Sequence, residues 1–150
     1  MPHRIRNLEQ PIAESRGVLL SLARAYVSAL AAFEKQAGIH IARWRMLDVL
    51  HRHGEMAQHE LTRHTLMDPA AVSRIVREFE AAGEMARRPD PDDHRQSLVS
   101  LTQPGVAMTL RIAAARDRFV AAAVVGIDPD ALDRAETTLD ALTANLERLR

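Results

Sequence analysis

The sequence predicts a mainly α-helical chain with one small β-hairpin, and three observations carry that prediction. Apolar residues recur three, four or seven apart through most of the 150 residues, which places them on one face of a helix. Only 3% of residues are aromatic, so the 47% apolar content is chiefly Ala and Leu, both good helix formers. The helical spacing breaks between Met85 and Leu101. There Met85-Ala86-Arg87-Arg88, a polar PDPDDHRQ and Ser97-Leu98-Val99-Ser100-Leu101 read as two short strands around a loop.

The elements follow in order. Residues 1–10 are polar and expected to fray. A long helix starts at Pro11 with Ile12, Leu19, Leu22, Tyr26, Leu30 and Phe33 on its seam, is weakened at Gly17, and closes at Gln36-Ala37-Gly38. A second helix spans Ile41 to His53 with Trp44, Leu47 and Leu50 inward. A third, Ala57 to His64, turns Leu61 inward, and Thr65-Leu66-Met67 joins it to a fourth. The fourth is capped by Asp68 with Pro69 at its first position, buries Val72, Ile75, Val76 and Phe79, and ends at Gly83. Two helices joined by so short a turn have helix-turn-helix geometry, which many helical pairs share. Thr102 caps a fifth helix running through Met108, Leu110, Ile112, Phe119, Val120, Ala123 and Val124. Asp128-Pro129 starts a sixth, whose Leu132, Ala135, Leu139, Leu142, Leu146 and Leu149 make a coiled-coil-like seam. The two end seams carry more apolar surface than a small middle domain covers, which favours a dimer. No internal repeat, low-complexity tract or Ser/Gly linker divides the chain.

Composition narrows the function classes. Without Cys there are no disulfides and no thiolate metal sites. No apolar run near the roughly 20 residues of a membrane span stands out, and MPHRIRNLEQP lacks the apolar core of a secretory signal, so a cytoplasmic protein is expected with no membrane partner. No metal and no cofactor are expected. His51 and His53 end the second helix, where cations complement its negative pole, and His59 and His64 complete no diagnostic metal spacing. Catalysis is not expected either. The chain has no G-x-S-x-G and no phosphate-cradling Gly loop, and Asp92 and Asp93 are adjacent on a loop rather than a facing pair.

Charge pulls the other way from nucleic acid: Lys+Arg and Asp+Glu are 20 each, and between Asp68 and Thr102 acids outnumber bases. The case for DNA therefore rests on placement. Ala70, Ser73, Arg74 and Arg77 fall on the outward side of the fourth helix, short-chained near its start and guanidinium-bearing further on. Such a surface fits a major groove, where small residues permit close approach and Arg reaches guanine or phosphate.

The hairpin makes the pattern specific. Asp93-His94-Arg95, five residues, Leu101-Thr102 and then Gly105 resemble the D-x-R…LT…G signature of the MarR family of winged helix-turn-helix regulators. Upstream, Trp44-Arg45-Met46-Leu47, Gln58-His59-Glu60-Leu61, Val72-Ser73-Arg74-Ile75-Val76, Phe79-Glu80 and Arg87-Arg88-Pro89-Asp90 follow in register, so the likeness covers about 39–105. The departures concern packing: Met56-Ala57 where the family often has Leu-Thr, Thr62 after Leu61 where it often has Ala, Phe79 for a usual Leu, and Glu84 for an apolar residue.

The resemblance implies a single domain over 1–150, mainly α with a small β-wing. Its winged helix-turn-helix at about 39–105 would be flanked by N- and C-terminal dimerisation helices at 11–37 and 103–150. It implies a homodimer on pseudo-palindromic double-stranded DNA. Ala70, Ser73, Arg74, Arg77, Arg88 and Arg95 would contact DNA, Arg95 entering a narrow minor groove, and Asp93 would pair with Arg95 or a nearby Arg to position the wing. It also implies a small aromatic or anionic effector, for which Tyr26, His40 and Trp44, with Arg16 or Arg43 receiving a carboxylate, are the candidates. The rival is a winged-helix protein–protein interaction module without operator binding, which has no need of an Arg at the wing tip.

Overall fold

A computed structural model describes residues 9–93 and 95–149, with side chains from Gly17 onward. The order is α1 (Glu9–Ala37), α2 (Ile41–His53), β1 (Met56–Ala57), α3 (Gln58–Thr65), α4 (Pro69–Ala81), β2 (Met85–Pro89), β3 (Ser97–Leu101), α5 (Gln103–Ala123) and α6 (Pro129–Glu147). This is the expected class, with one strand more than the two expected. β1 is only two residues long and lies in what reads as the start of the third helix. It pairs antiparallel with β3, Met56 opposite Val99 and Ala57 opposite Leu98, giving the sheet order β1-β3-β2.

The local causes are visible at the helix ends. Asp68 Oδ1 accepts the Ala71 N–H at 2.9 Å, and Pro69 begins α4 without needing a partner. His40 caps α2, its Nδ1 accepting the Ala42 N–H at 3.2 Å, while Glu34 accepts the Ile41 N–H at 3.0 Å. Glu60 reaches back to the Ala57 N–H at 3.1 Å to start α3. Between α3 and α4 the chain turns on Leu66 at φ 54, the only non-glycine with positive φ among the described residues. α1 runs unbroken through Gly17, where a local weakening was expected.

Two compact units, 1–116 and 117–150, divide the chain inside α5. The core of the first unit collects Trp44, Met46, Leu47 and Leu50 of α2, Leu61 of α3, Val72, Ile75, Val76 and Phe79 of α4, and Met85 and Val99 of the sheet. Each fully buried Leu, Val or Phe contributes roughly 1.5–3 kcal/mol relative to exposure. α5 adds a narrower stripe than its apolar content suggests. Gly105, Thr109 and Ile112 are buried and Leu110 is exposed, so only one face of its first turns is covered, with Gly105 against the Glu84 backbone. The buried Thr109 hydroxyl donates to the Gly105 carbonyl at 2.8 Å, so it carries no unpaired donor. In the second unit, Asp128 caps α6, no α6 residue is buried, and Leu139, Leu146 and Leu149 are exposed.

α1 requires a correction. Gly17–Ala37, 21 residues of mean hydropathy 1.3, is long and apolar enough by length and composition to cross a membrane, against the expectation of no such run. Only Ser21, Arg24 and Ser28 interrupt it before Glu34. A charge as central as Arg24 costs about 2.5–3.5 kcal/mol in a bilayer, and Phe33 is buried in the core of the first unit. Val18, Leu19, Leu20, Tyr26 and Val27 of this helix are exposed.

Candidate nucleic-acid interface

The outward face of α4 and the β2–β3 hairpin, or wing, belong to the same compact unit. Ala70 is exposed in the first turn of α4 and Ser73 is half-buried one turn on. Arg74 and Arg77 are exposed beyond them. The Arg77 Nε donates to the Ser73 carbonyl at 3.2 Å. Arg74 Nη1 donates to Glu78 Oε1 at 2.9 Å, and the other oxygen of Glu78 takes a 2.5 Å bond from Arg43 Nη1.

The wing is a ladder of five pairs from Met85↔Leu101 to Pro89↔Ser97. Its tip is closed by the Asp90 N–H on the Gln96 carbonyl at 3.1 Å and the Gln96 N–H on the Asp93 carbonyl at 2.8 Å. The Asp93 carboxylate accepts the Arg95 backbone N–H at 3.0 Å and Gln96 Nε2 at 2.8 Å. Here the structure differs from expectation: Asp93 organises the tip through a backbone N–H and an amide, not through a guanidinium. A carboxylate two residues before the N–H it binds forms an Asx turn, shorter-ranged than any ion pair to a long side chain. Arg95 is exposed, and its guanidinium has no ion pair among the described residues. It lines an open cleft of about 530 Å³ with Gln58, His59, Gln96 and Ser97, between the start of α3 and the wing. Arg88, exposed on β2, is held by Glu55 through Nε at 2.9 Å and Nη2 at 2.5 Å.

The Asp93 carboxyl lies below its ordinary value, first because of the Gln96 side-chain bond and then because of the Arg95 N–H. Its contribution to loop order is therefore present above the ordinary Asp value, about 3.9, and is lost as pH falls through the lowered one. The Arg95 amide resonance is expected to hold steady from about pH 8 to about pH 4.5 and to move only at lower pH. A transition near neutral pH would disprove that assignment.

The effector candidates do not converge. Trp44 is 6% exposed and packs against Phe33 at 6.3 Å between ring centroids, as a core residue. Tyr26 is exposed on α1, its hydroxyl 3.3 Å from Arg45 Nη2. His40 and Arg43 do share a cleft of about 280 Å³ with Met67, Ala71, Arg74 and Glu78. The Arg43 guanidinium also lies 4.2 Å over the Phe79 ring. The Arg16 side chain lies outside the described residues. Of the histidines weighed as ligands, His53 and His64 stack at 4.8 Å, and no group of three or more potential ligands occurs among the described residues.

Sequence reasoning missed Glu55, Glu78 and Gln96. Glu78 is four residues from Arg74, a spacing that marks helical ion pairs and would have found it. Glu55 meets Arg88 across 33 positions, and no sequence signal announces that.

Two packed helices, α3 and α4, joined by a short turn and accompanied by a three-stranded sheet whose hairpin carries Arg95 at its tip, define the winged helix-turn-helix class of transcriptional regulators. A model of the MarR family matches residues 37–96. A probable transcriptional regulator from Pseudomonas aeruginosa, solved by crystallography, is 30% identical with a TM-score of 0.71, covering 86% of this chain and 96% of that one. The HTH-type transcriptional repressor NicR of Pseudomonas putida is 32% identical over 105 residues, 68% of this chain and 65% of the repressor. The uncharacterized HTH-type regulator YdgJ of Bacillus subtilis is 37% identical over 73 residues, 49% of this chain and 44% of YdgJ. The matched stretch thus spans less than two thirds of either curated relative. The chain belongs to the MarR family of transcriptional regulators.

Proposed function

We propose that the chain is a cytoplasmic, homodimeric repressor that binds a pseudo-palindromic double-stranded operator and releases it on binding a small aromatic or anionic effector. The observation that carries the reading is the pairing of an open, short-chained start of α4 with a wing-tip Arg95 free of any carboxylate partner among the described residues. Ala70 and Ser73 permit close approach to the major groove, and Arg74 and Arg77 reach base edges or phosphate. Arg88 takes backbone phosphate, Arg95 enters the flanking minor groove, and Asp93 sets the loop that aims it.

The exposed apolar faces of α1 and α6 support dimerisation helices at 11–37 and 103–150 around the winged region at 39–105. NicR, named a repressor, supports repression. The cleft at His40 and Arg43 is near the small end of ligand pockets, roughly 300–1,000 Å³. An anion there would compete with Glu78 for Arg43 and shift the population of α4 positions.

Selecting bound sequences from random duplexes with the full chain tests this. The expected result is one motif with two inverted half-sites about one helical turn apart. Recovery of no motif would overturn the operator reading, and a single half-site would overturn the dimer. A screen of aromatic carboxylates should yield a compound that both raises Tm and frees bound duplex, and a screen with none removes the effector. The rival protein-binding module draws its support from the zero net charge. Salt-dependent duplex binding decides against it.

A further inference from the structure

We propose that Glu55 and Glu78 suppress indiscriminate duplex binding by the DNA face, holding Arg88 and Arg74 in intramolecular ion pairs that an operator opens and featureless duplex does not. The inference rests on the DNA-binding function proposed above.

The cations of this face fall into two kinds. Arg77 and Arg95 have no carboxylate partner among the described residues, whereas Arg74 and Arg88 each have one. Glu55 grips Arg88 in a fork, with bonds of 2.9 and 2.5 Å from Nε and Nη2. Those are the same parallel donors that a phosphate would take. The Arg88 guanidinium is charged at every working pH, so it is DNA-competent whether or not Glu55 holds it. At the other site Glu78 Oε1 receives Arg74 at 2.9 Å while Oε2 is held by Arg43 at 2.5 Å. Arg43 lies over the buried Phe79 ring, so Glu78 is fixed from behind and cannot follow Arg74 toward DNA. Arg74 must exchange one anion for another.

Both arginines remain open to an incoming ligand, with side-chain exposures of 63% for Arg74 and 52% for Arg88. Ion pairs so exposed are individually weak and give way when a better partner arrives. Random duplex offers phosphate charge alone, which the carboxylates already imitate. An operator adds base-edge contacts and groove shape, and these tip the exchange. A chain with equal numbers of acids and bases thereby binds random duplex weakly, because two of its acids are seated on arginines that would otherwise bind indiscriminately.

The test compares wild type, Glu55→Gln and Glu78→Gln on the selected operator and on random-sequence duplex, by fluorescence anisotropy at about 50 and about 200 mM salt. Each freed arginine should steepen the salt slope on random duplex by about 0.9, so affinity gained between those two salts should exceed the wild-type gain by roughly threefold. Operator affinity, which in wild type carries the full cost of opening each pair, should rise at least as much, but its salt slope should stay unchanged because the same phosphate contacts already form there. Glu136→Gln, the same charge change on the exposed surface of α6, should leave the random-duplex salt slope unaltered, and Arg88→Gln should abolish the effect of Glu55→Gln. Unchanged random-duplex affinity, an equal effect from Glu136→Gln, or a gain that survives Arg88→Gln would each overturn the inference. Absence of salt-dependent duplex binding by wild type would overturn the DNA-binding reading and this with it. Normal wild-type binding with inert Glu variants would overturn this inference alone.

Discussion

Replacing Arg95 with Ala is expected to weaken operator binding by about 1–3 kcal/mol, roughly fivefold to 150-fold, while leaving the thermal unfolding midpoint unchanged. The separation of the two effects follows from how the wing tip is built. Its closing bonds run between Asp90, Asp93 and Gln96 and use the backbone N–H of Arg95, which Ala retains. The Arg95 guanidinium is exposed and takes no part in them. An Arg in a narrow minor groove also reads A·T content, so the loss should be largest on sites with A·T-rich flanks and smallest on G·C-rich ones. A uniform loss across all duplexes, with a salt slope lowered by about 0.9, would assign Arg95 to phosphate instead. Unchanged operator affinity in a gel-shift titration would remove it from the interface.

What could be read from the sequence divides by range. The α4 stripe of Val72, Ile75, Val76 and Phe79 was legible because helical periodicity is local, and all four are buried. Asp68-Pro69 and Asp128-Pro129 were legible because a cap and an N-terminal proline act within one turn. β1 was not, since two residues ahead of a helix have no period and take their strand pairing from Leu98 and Val99 forty residues on. The exposure of Ala70, Arg74, Arg77, Arg88 and Arg95 was legible from their positions, yet the partners of Arg74 and Arg88 were not. Glu55 reaches Arg88 only because β3 pairs with both β1 and β2, which brings the residue just ahead of β1 within reach of a side chain two strands over. Trp44 and Tyr26 were grouped as one pocket on aromatic character, but the fold buries one and exposes the other. Glycines show the same limit. Gly17 and Gly105 both lie inside helices; a Cβ at Gly17 would meet nothing within 4 Å, whereas one at Gly105 would collide with backbone.

That collision makes Gly105→Ala the largest expected stability effect. The added methyl would drive into the Glu84 carbonyl oxygen and lie 3.0 Å from its carbon, and a main-chain carbonyl cannot rotate aside as a side chain can. The same carbonyl accepts the Thr102 N–H at 3.1 Å. Thr102 Oγ1 donates to the Gly83 carbonyl at 2.7 Å and accepts the Gly105 N–H at 3.2 Å. Leu101-Thr102 and Gly105 thus form a clasp that fastens the exit of β3 onto the α4–β2 join. Relieving the clash means opening the clasp, so the cost sits at the upper end of overpacking, about 2–3 kcal/mol, or roughly 5–10 °C in Tm for a chain of this length. Because β3 is one arm of the wing, the displacement also re-aims Arg95, and operator affinity should fall even at temperatures where the variant is fully folded. A Gly105→Ala protein with wild-type Tm and wild-type operator affinity would show that the clasp neither holds the fold nor aims the wing.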